Sequence, residues 1–262
     1  MRKFLGVSLL AVCAWLDGSA LCSAQIDFNW NGQLAPGQTF EIKGINGGIF
    51  ASAAKGGDVL VTAARSARRS NPADVRFEVV PHAGGVTVCA IYPAPAGEPA
   101  NECRPGGGGR TNTRDNDTIV DFTVQVPVGV NFVGRTVNGS VDANSLPANA
   151  EGYTVNGSVS LTAAGTALGT TVNGSISATM GRADWQGGAH FKTVNGDITL
   201  RLPVSVNAQV DAETVNGSLR SEFPLTLSGE EFRRKRLNGT IGSGGQTLDL
   251  KSVNGSISLL KR

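Results

Sequence analysis

The second half of the chain alternates apolar and polar residues with a period of two. Apolar pairs such as Val159/Leu161 and Ile176/Ala178 are separated by serine or threonine. This period places the apolar side chains on one face of a β-strand and the hydroxyl groups on the other. The pattern therefore predicts short strands, each with one buried face and one face in solvent.

An Asn-Gly dipeptide precedes these alternating segments and recurs every 16–22 residues. Its usual frame is Thr-Val-Asn-Gly-Ser followed by Val or Ile, and a near-copy lies upstream at Asn46-Gly47. Asn and Gly tolerate positive φ, so we expect the chain to turn sharply at each copy and the Val and Ile of the frame to fill the core. The predicted corners are Asn138-Gly139, Asn156-Gly157, Asn173-Gly174, Asn195-Gly196, Asn216-Gly217, Asn238-Gly239 and Asn254-Gly255.

Two arrangements of strands could use such corners. Asn-Gly is typical of β-hairpins, but a hairpin array needs a turn about every 8–12 residues, with turn chemistry at both ends of the sheet. The observed spacing is that of one full coil per repeat, with identical corners stacked and their Asn side chains hydrogen-bonded. We therefore predict an all-β fold, a single-stranded parallel β-helix (β-solenoid), right-handed, with ten or more coils.

The first half of the chain carries strand patterns without the strict motif. We predict one continuous β-solenoid domain over residues 40–262, with the regular Asn-Gly repeats at 135–260 and an N-terminal cap at 25–39. Residues 93–117 are too rich in Pro, Gly and Asn for a strand, and we expect them to form a protruding loop.

The N-terminus has the pattern of an export signal. Arg2 and Lys3 precede an apolar run over residues 4–16, and small residues lead to a cleavage site after Ala24. We predict a signal peptide over residues 1–24, whose apolar run is short for a membrane anchor, and no transmembrane segment in the chain that remains. The mature protein is expected in the periplasm, on the outer surface or secreted. A buried N-terminal helix is the alternative interpretation.

Charge and cysteine content add two expectations. Cleavage would remove Arg2, Lys3 and Asp17 and lower the formal charge from +2 to +1, which does not favour nucleic-acid binding. Cys89 and Cys103 would remain, and an oxidising compartment favours a disulfide between them, with free structural thiols as the alternative.

Other residue types that could form sites have ordinary structural interpretations. Asn-Gly-Ser/Thr matches the glycosylation acceptor pattern, but the corner itself produces it. His82 and His190 are far apart in sequence, so we expect neither a metal site nor a cofactor. Trp30 and Trp185 could stack on sugars or pack in the fold.

Two basic clusters are the candidate ligand contacts. They consist of Arg65, Arg68 and Arg69, and of Arg233, Arg234, Lys235 and Arg236. On one side of a solenoid they could contact anionic glycans or phospholipid. Solvated turns and edge protection are the alternative.

The repeated Val-Asn-Gly-Ser-Val/Ile, together with residues 86–93 and 124–127, resembles a bacterial family of β-solenoid domains described as putative adhesins. The resemblance extends over about residues 40–260. It implies an adhesin-like surface or periplasmic role, and it brings no established catalytic residues to this chain.

These observations favour an exported non-enzymatic β-solenoid, an adhesin-like or cell-envelope interaction or structural module. Its expected partners are envelope glycans or surface proteins. The alternative is a polysaccharide lyase or hydrolase, which would need a cleft with clustered carboxylates, or with basic residues and Ca²⁺ ligands. Self-association through the coil edges is a third possibility.

Overall fold

The computed structural model describes residues 26–231 and 234–262, and all regular structure in these ranges is β-strand apart from one 3-10 turn at Pro72–Asp74. The all-β prediction is therefore confirmed. Within the same ranges, no helix is long and apolar enough to cross a membrane. The predicted signal peptide lies outside the described residues and stays a prediction.

The strands, numbered in chain order, form two sheets. Sheet A contains β1 Ile26–Gly32, β3 Ile49–Ala53, β4 Val59–Ser66, β7 Ile119–Val126, β9 Val141–Leu146, β11 Val159–Ala163, β13 Ile176–Met180, β15 Ile198–Leu202, β17 Leu219–Ser221 and β21 Ile257–Lys261. Sheet B contains β2 Thr39–Lys43, β5 Arg76–His82, β6 Gly85–Ile91, β8 Asn131–Arg135, β10 Ala150–Tyr153, β12 Ala167–Thr170, β14 Ala189–Lys192, β16 Ala208–Asn216, β18 Thr226–Glu231, β19 Arg234–Ile241 and β20 Thr247–Asn254.

Most of the chain winds between the two sheets as a parallel solenoid. A sheet B strand passes through an Asn-Gly corner into a sheet A strand, as in β8/β9, β10/β11, β12/β13 and β14/β15. Successive coils pair in parallel and in register, so Val159 lies between Val141 and Ile176. The prediction of one coil per repeat holds for these segments, whereas right-handed winding and a total of ten or more coils stay predictions.

The order of coils in space differs from their order in the chain at both ends. The β20/β21 coil lies between the β14/β15 coil and the β16/β17 coil. At the other end, β6 and β7 lie outside β2 and β3. Nearly identical repeats give no local signal for which neighbour each one chooses, so the sequence could not predict this order.

Antiparallel strands flank the stack. A purely parallel solenoid would not contain such strands. On sheet A, β4 pairs with β7 and the edge strand β1 pairs with β4. On sheet B, β5 pairs with β6 at one end, and β19 and β18 follow β16 at the other. These strands occupy the sheet edges next to the outermost coils, where unpaired backbone would otherwise be exposed.

The inner faces of both sheets form one hydrophobic core. Phe40, Phe122, Phe132 and Phe191 are fully buried in it, and the residues two positions after a corner glycine add Val141, Val159, Ile176, Ile198 and Ile257. The valine that precedes the corner Asn is 38–41% exposed at Val155, Val172, Val194 and Val253, whereas Val137 is partly buried and packs against the core. The prediction that this valine fills the core is therefore wrong at the four exposed positions, because the threonine or serine before it takes the buried position.

Candidate interaction surface

The stacked corners form a ladder of asparagine side chains along one edge of the solenoid. In six of the seven stacked corners the amide Nδ2 donates to the Oδ1 of the neighbouring corner at 2.7–2.8 Å, and at the end of the ladder Asn46 only accepts such a bond. The ladder runs in the spatial order Asn46, Asn138, Asn156, Asn173, Asn195, Asn254 and Asn216.

The threonine of the frame closes the corner from inside. Thr154 Oγ1 donates to the carbonyl oxygen of Gly139 at 2.8 Å, and Thr171 Oγ1 donates to that of Gly157 at the same distance. The equivalent donors in the other coils are Thr136, Thr193, Thr214 and Ser252. These side chains are at most 6% exposed. A buried hydroxyl therefore satisfies the glycine carbonyl in six of the seven stacked corners.

Glycine is required at the corner mainly because stacked backbones approach closely. A Cβ on Gly174 would overlap the carbonyl group of Gly157, and each stacked corner repeats this contact with the coil beside it. Gly139, Gly157 and Gly174 do not have positive φ. The expectation of positive φ holds at Gly47 and Gly196, at 118° and 155°, whereas at Gly139, Gly157 and Gly174 the steric reason applies alone.

The Asn238 copy is the exception among the seven. It lies in β19, which pairs antiparallel with β16 and places Asn238 opposite Asp211. Arg236 stands where the other copies have Thr or Ser, and Leu237, unlike the exposed valines of the frame, is only 6% exposed. The missing hydroxyl is the sequence signal that could have identified this copy as outside the stack.

Side chains close both ends of the corner stack. At one end, Lys235 Nζ donates to the carbonyl oxygen of Gly217 at 2.9 Å, in place of a threonine from a further coil. At the other end, the hydroxyl of Tyr92 donates to the carbonyl oxygens of Asn46 and Thr118 at 3.1 and 3.0 Å. Burial raises the pKa of Tyr92 to about 12, so this cap stays protonated at neutral pH.

The first basic cluster is engaged within the fold. Arg65 pairs with Asp27 at 3.2 Å, donates to the carbonyl oxygen of Val75 at 2.7 Å and lies over the ring of Phe77. Arg68 and Arg69 contribute backbone N–H groups to the carboxylate of Asp117.

The strongest donor to Asp117 is the backbone N–H of Ser70, at 2.8 Å. The hydrogen bonds from Ser70, followed by those from Arg68 and Arg69, lower the pKa of Asp117 to about 2. This arrangement of amides is an anion-binding nest that the protein fills with its own side chain. The side chain of Arg69 is 89% exposed and lies 3.7 Å from Asp117, measured from Nε to Oδ2.

The second cluster lies at the opposite end of the stack, beside β16, whereas the first lies beside β7. Arg236 forms a bidentate pair with Asp211 at 2.7 and 2.6 Å, and Lys235 caps the Gly217 carbonyl. Arg233 lies outside the described residues, and only the backbone of Arg234 is described. The structure therefore does not bring the two basic clusters together into one surface.

Trp30, Trp185 and His190 also have local partners. Trp185 is 4% exposed and donates through Nε1 to the carbonyl oxygen of Thr247, while Trp30 stacks on Phe40 at 5.5 Å between ring centroids. His190 Nδ1 lies 3.5 Å from Asp249. In the part of the chain that the structure describes, no group of three or more His, Cys, Asp or Glu residues is placed to hold a metal ion.

The segment after Cys89 lies back on the outer face of sheet B. A disulfide joins Cys89 to Cys103, and Lys43 Nζ then donates to the carbonyl oxygens of three loop residues at 2.6–2.9 Å. The same loop donates from the N–H of Gly106 to Glu41, which also accepts from Arg135. Burial is the main cause that lowers the pKa of Lys43. Sequence reasoning missed this contact, because the outward pattern of Glu41 and Lys43 gives no sign that a distant loop covers it.

The outer face of sheet A is a flat array of hydroxyl groups. Ser160, Ser177, Thr199 and Ser258 lie side by side on adjacent parallel strands, and Thr162 and Thr179 begin a second row two residues further along. All six are partly or fully exposed. Their hydroxyls make no hydrogen bond to any other residue within the described ranges.

Two residues frame the first hydroxyl row. Asp142 lies in register before Ser160, and Arg220 lies after Ser258. Burial raises the pKa of Asp142. The first row is thus neutral between a carboxylate at one end and a guanidinium at the other, whereas the second row continues from Thr179 to Arg201.

Comparison with known protein families gives a match to the repeat region. Residues 138–260 match the model of a family described as Toastrack DUF4097. No curated protein matches the chain.

Solved structures with low sequence identity also align with most of the chain. A putative cell adhesion protein from Clostridium sporogenes ATCC 15579 is 11% identical, with a TM-score of 0.45, over 90% of this chain and 99% of that one. A putative adhesin from Bacteroides fragilis NCTC 9343 is 15% identical, with a TM-score of 0.37, over 90% and 96%. The repeat region is thus similar to the Toastrack DUF4097 family, whose function is unknown.

Proposed function

We propose that this protein is an exported, non-enzymatic β-solenoid, an adhesin-like or cell-envelope interaction module that binds an extended glycan along the outer face of sheet A. The observation that carries the proposal is the row of unpaired hydroxyls at Ser160, Ser177, Thr199 and Ser258. Each hydroxyl can donate one hydrogen bond and accept two, which suits a ligand that is itself rich in hydroxyl groups.

The geometry of the array favours a polymer over a small molecule. Adjacent strands of a sheet are spaced by about 4.8 Å, so the row offers equivalent contacts at regular steps along a straight line. Single hydrogen bonds of this kind contribute only about 0.5–1.5 kcal/mol each. A chain that meets several of them at once gains affinity through multivalency.

The disulfide supports the exported location. Cys89 and Cys103 are joined, and such bonds persist mainly in oxidising compartments. The sequence similarity to the Toastrack family and the all-β solenoid are compatible with an interaction role outside the cytoplasm.

The proposal is tested by measuring how the purified mature protein binds purified envelope polysaccharides. The variant Ser177→Ala/Thr199→Val removes two central hydroxyls without changing the strands, and we expect it to weaken binding by about tenfold. Thr170→Val is the matched control, because Thr170 lies on the outer face of sheet B. Equal binding by the double variant and the unmodified protein would contradict the proposed surface.

The proposal that the protein is not an enzyme needs a separate measurement. The same polysaccharides are incubated with the protein and assayed for new reducing ends and for unsaturated sugar products. We expect neither to accumulate. Sustained turnover would instead support a lyase or hydrolase.

A further inference from the structure

The Asn-Gly corners differ in chemical reactivity because one of them ends the stack. In an Asn-Gly sequence, the glycine backbone nitrogen can attack the side-chain amide carbon of the asparagine, which makes such asparagines labile. A hydrogen bond from that nitrogen, and a neighbour that fixes the backbone, both oppose the attack. The position of each corner in the stack therefore decides how well it is protected.

Six of the seven stacked corners hold their glycine nitrogen in a hydrogen bond. Gly174 N donates to the carbonyl oxygen of Asn195 at 2.9 Å, and Gly255 N donates to that of Asn216 at 3.0 Å. The same bond, to the Asn carbonyl of the next corner in space, is made by Gly47, Gly139, Gly157 and Gly196. Each donor points in the same direction along the stack.

The corner at Asn216 and Gly217 is the last in this direction. Asn216 accepts from Gly255 and donates its Nδ2 to Asn254 Oδ1 at 2.8 Å, but no further corner lies beyond it. The N–H of Gly217 makes no hydrogen bond within residues 26–231 and 234–262. Lys235 donates a hydrogen bond only to the carbonyl oxygen of Gly217.

We propose that Asn216 is a site of spontaneous covalent modification, converted through a succinimide to aspartate and isoaspartate with water as the co-reactant. The Gly217 nitrogen forms a bond to Cγ of Asn216 and gives up its proton. The Cγ–Nδ2 bond breaks, and the side-chain nitrogen leaves with that proton as ammonia. Water then adds to one of the two imide carbonyls and opens the ring.

The product changes the end of the solenoid. Asn216 Nδ2 is the donor to Asn254 Oδ1, and a carboxylate at neutral pH has no proton to donate. The last coil then loses one of its side-chain bonds to the coil beside it and gains a negative charge near Lys235. An isoaspartate also lengthens the backbone by one carbon, which cannot match the register of the neighbouring corner.

The experiment incubates the purified mature protein, with its disulfide intact, in ¹⁸O-labelled water at mildly alkaline pH. Trypsin places Asn216 in a peptide of residues 202–220 and Asn254 in one of residues 252–261, and mass spectrometry measures the label in each. Both asparagines have the local sequence Val-Asn-Gly-Ser, so local sequence is matched. We expect Asn216 to react about tenfold faster, which corresponds to about 1.4 kcal/mol of protection at Asn254.

Unfolding supplies the control for intrinsic reactivity. In concentrated guanidinium chloride both sites should react at the same rate, because the stack no longer exists. Equal rates in the folded protein, or an Asn216 preference that persists in denaturant, would overturn the proposal. Asn216→Asp should also speed amide hydrogen exchange in β17 relative to β13, and unchanged exchange would contradict the predicted loosening of the last coil.

Discussion

At the scale of single residues, the repeat frame assigns one task to each position. The Thr hydroxyl caps the corner carbonyl of the neighbouring coil, the Asn side chain links coils in a ladder, and Gly admits the close approach of two backbones. The Val between Thr and Asn is 38–41% exposed in four of the repeats, so in those its β-branched shape suits the extended backbone while adding little to the core. The stability of the corner therefore depends on polar contacts and small size more than on apolar burial.

Removing the threonine hydroxyl that caps the corner carbonyl tests this assignment of roles. Thr171→Val keeps the shape of the side chain but leaves the carbonyl oxygen of Gly157 without its donor, so we expect the free energy of unfolding to fall by about 1–2 kcal/mol. Urea unfolding followed by circular dichroism measures the change. The control is Val172→Thr, at the adjacent exposed position, which should shift the midpoint little. A larger loss from the control would contradict the assignment.

The close approach of stacked corners predicts a larger loss of stability when a corner glycine gains a side chain. Gly174→Ala places a Cβ against the backbone of Gly157, and backbone atoms of a stacked coil cannot move aside independently. We expect a loss of about 2 kcal/mol or more in the free energy of unfolding, the range typical of overpacking. Gly56→Ala, where a Cβ would meet open space, is the comparison in the same urea titration. Similar midpoints for the two variants would show that the stack tolerates the methyl group.

At the scale of elements, the turn after β4 is organised by a side chain from a distant segment. Three consecutive backbone N–H groups, from Arg68 to Ser70, converge on the carboxylate of Asp117 just before β7. Bonding to the ionised form keeps the pKa of Asp117 low, at about 2. The contact joins the β4–β5 connection to the start of β7, and it exists only while the carboxylate is charged.

This contact gives the turn a defined pH dependence. Because the folded pKa lies below the unfolded one, the carboxylate contributes its full stability above about pH 4 and loses it as the pH falls toward 2. The thermal midpoint of Asp117→Asn should therefore lie below that of the unmodified protein at neutral pH, and the gap should close in acid. Asp115→Asn, an exposed neighbour, is the control for altered charge. A gap that stays constant down to pH 2 would contradict the role of the nest.

The strands of the regular repeats could be predicted from sequence because their signals are local. Alternation at Val159 and Leu161 fixes both the strand and its buried face. The copy at Asn238 shows where that reading fails, since its corner dipeptide is the same but Arg236 replaces the capping Thr and the strand pairs antiparallel. The packing of the loop residues after Cys103 over Lys43 and Glu41 could not be predicted either, because these loop residues lie more than 60 positions further along the chain.

At the scale of the whole molecule, the spatial order of the coils is the feature that could not be predicted from the sequence. Asn195, Asn216 and Asn254 share nearly the same frame, so any of them could stack on any other by local fit alone. Their actual order depends on what lies between them. The chain from β18 to β19 turns back as an antiparallel hairpin beside β16, and β20 and β21 then enter the space between two earlier coils.

Engineered cysteines can test this order directly. Thr199 on β15 lies in register with Ser258 on β21, and Ser258 lies in register with Arg220 on β17. Adjacent strands are about 4.8 Å apart, within the Cα separation that a disulfide spans, whereas strands two places apart are about 9.6 Å apart and are not. Thr199→Cys/Ser258→Cys should therefore form a second disulfide on oxidation, and Thr199→Cys/Arg220→Cys should not.

The measurement is non-reducing peptide mapping by mass spectrometry, with the native Cys89–Cys103 bond as the internal reference. A solenoid stacked in chain order would give the opposite result, because the β16/β17 coil would then follow the β14/β15 coil directly and bring residues 199 and 220 together. The two double variants share one cysteine and differ only in its partner, so differences in thiol reactivity at position 199 cancel. Cross-linking of the 199/220 pair in preference to the 199/258 pair would show that the coils follow one another as they do in the sequence.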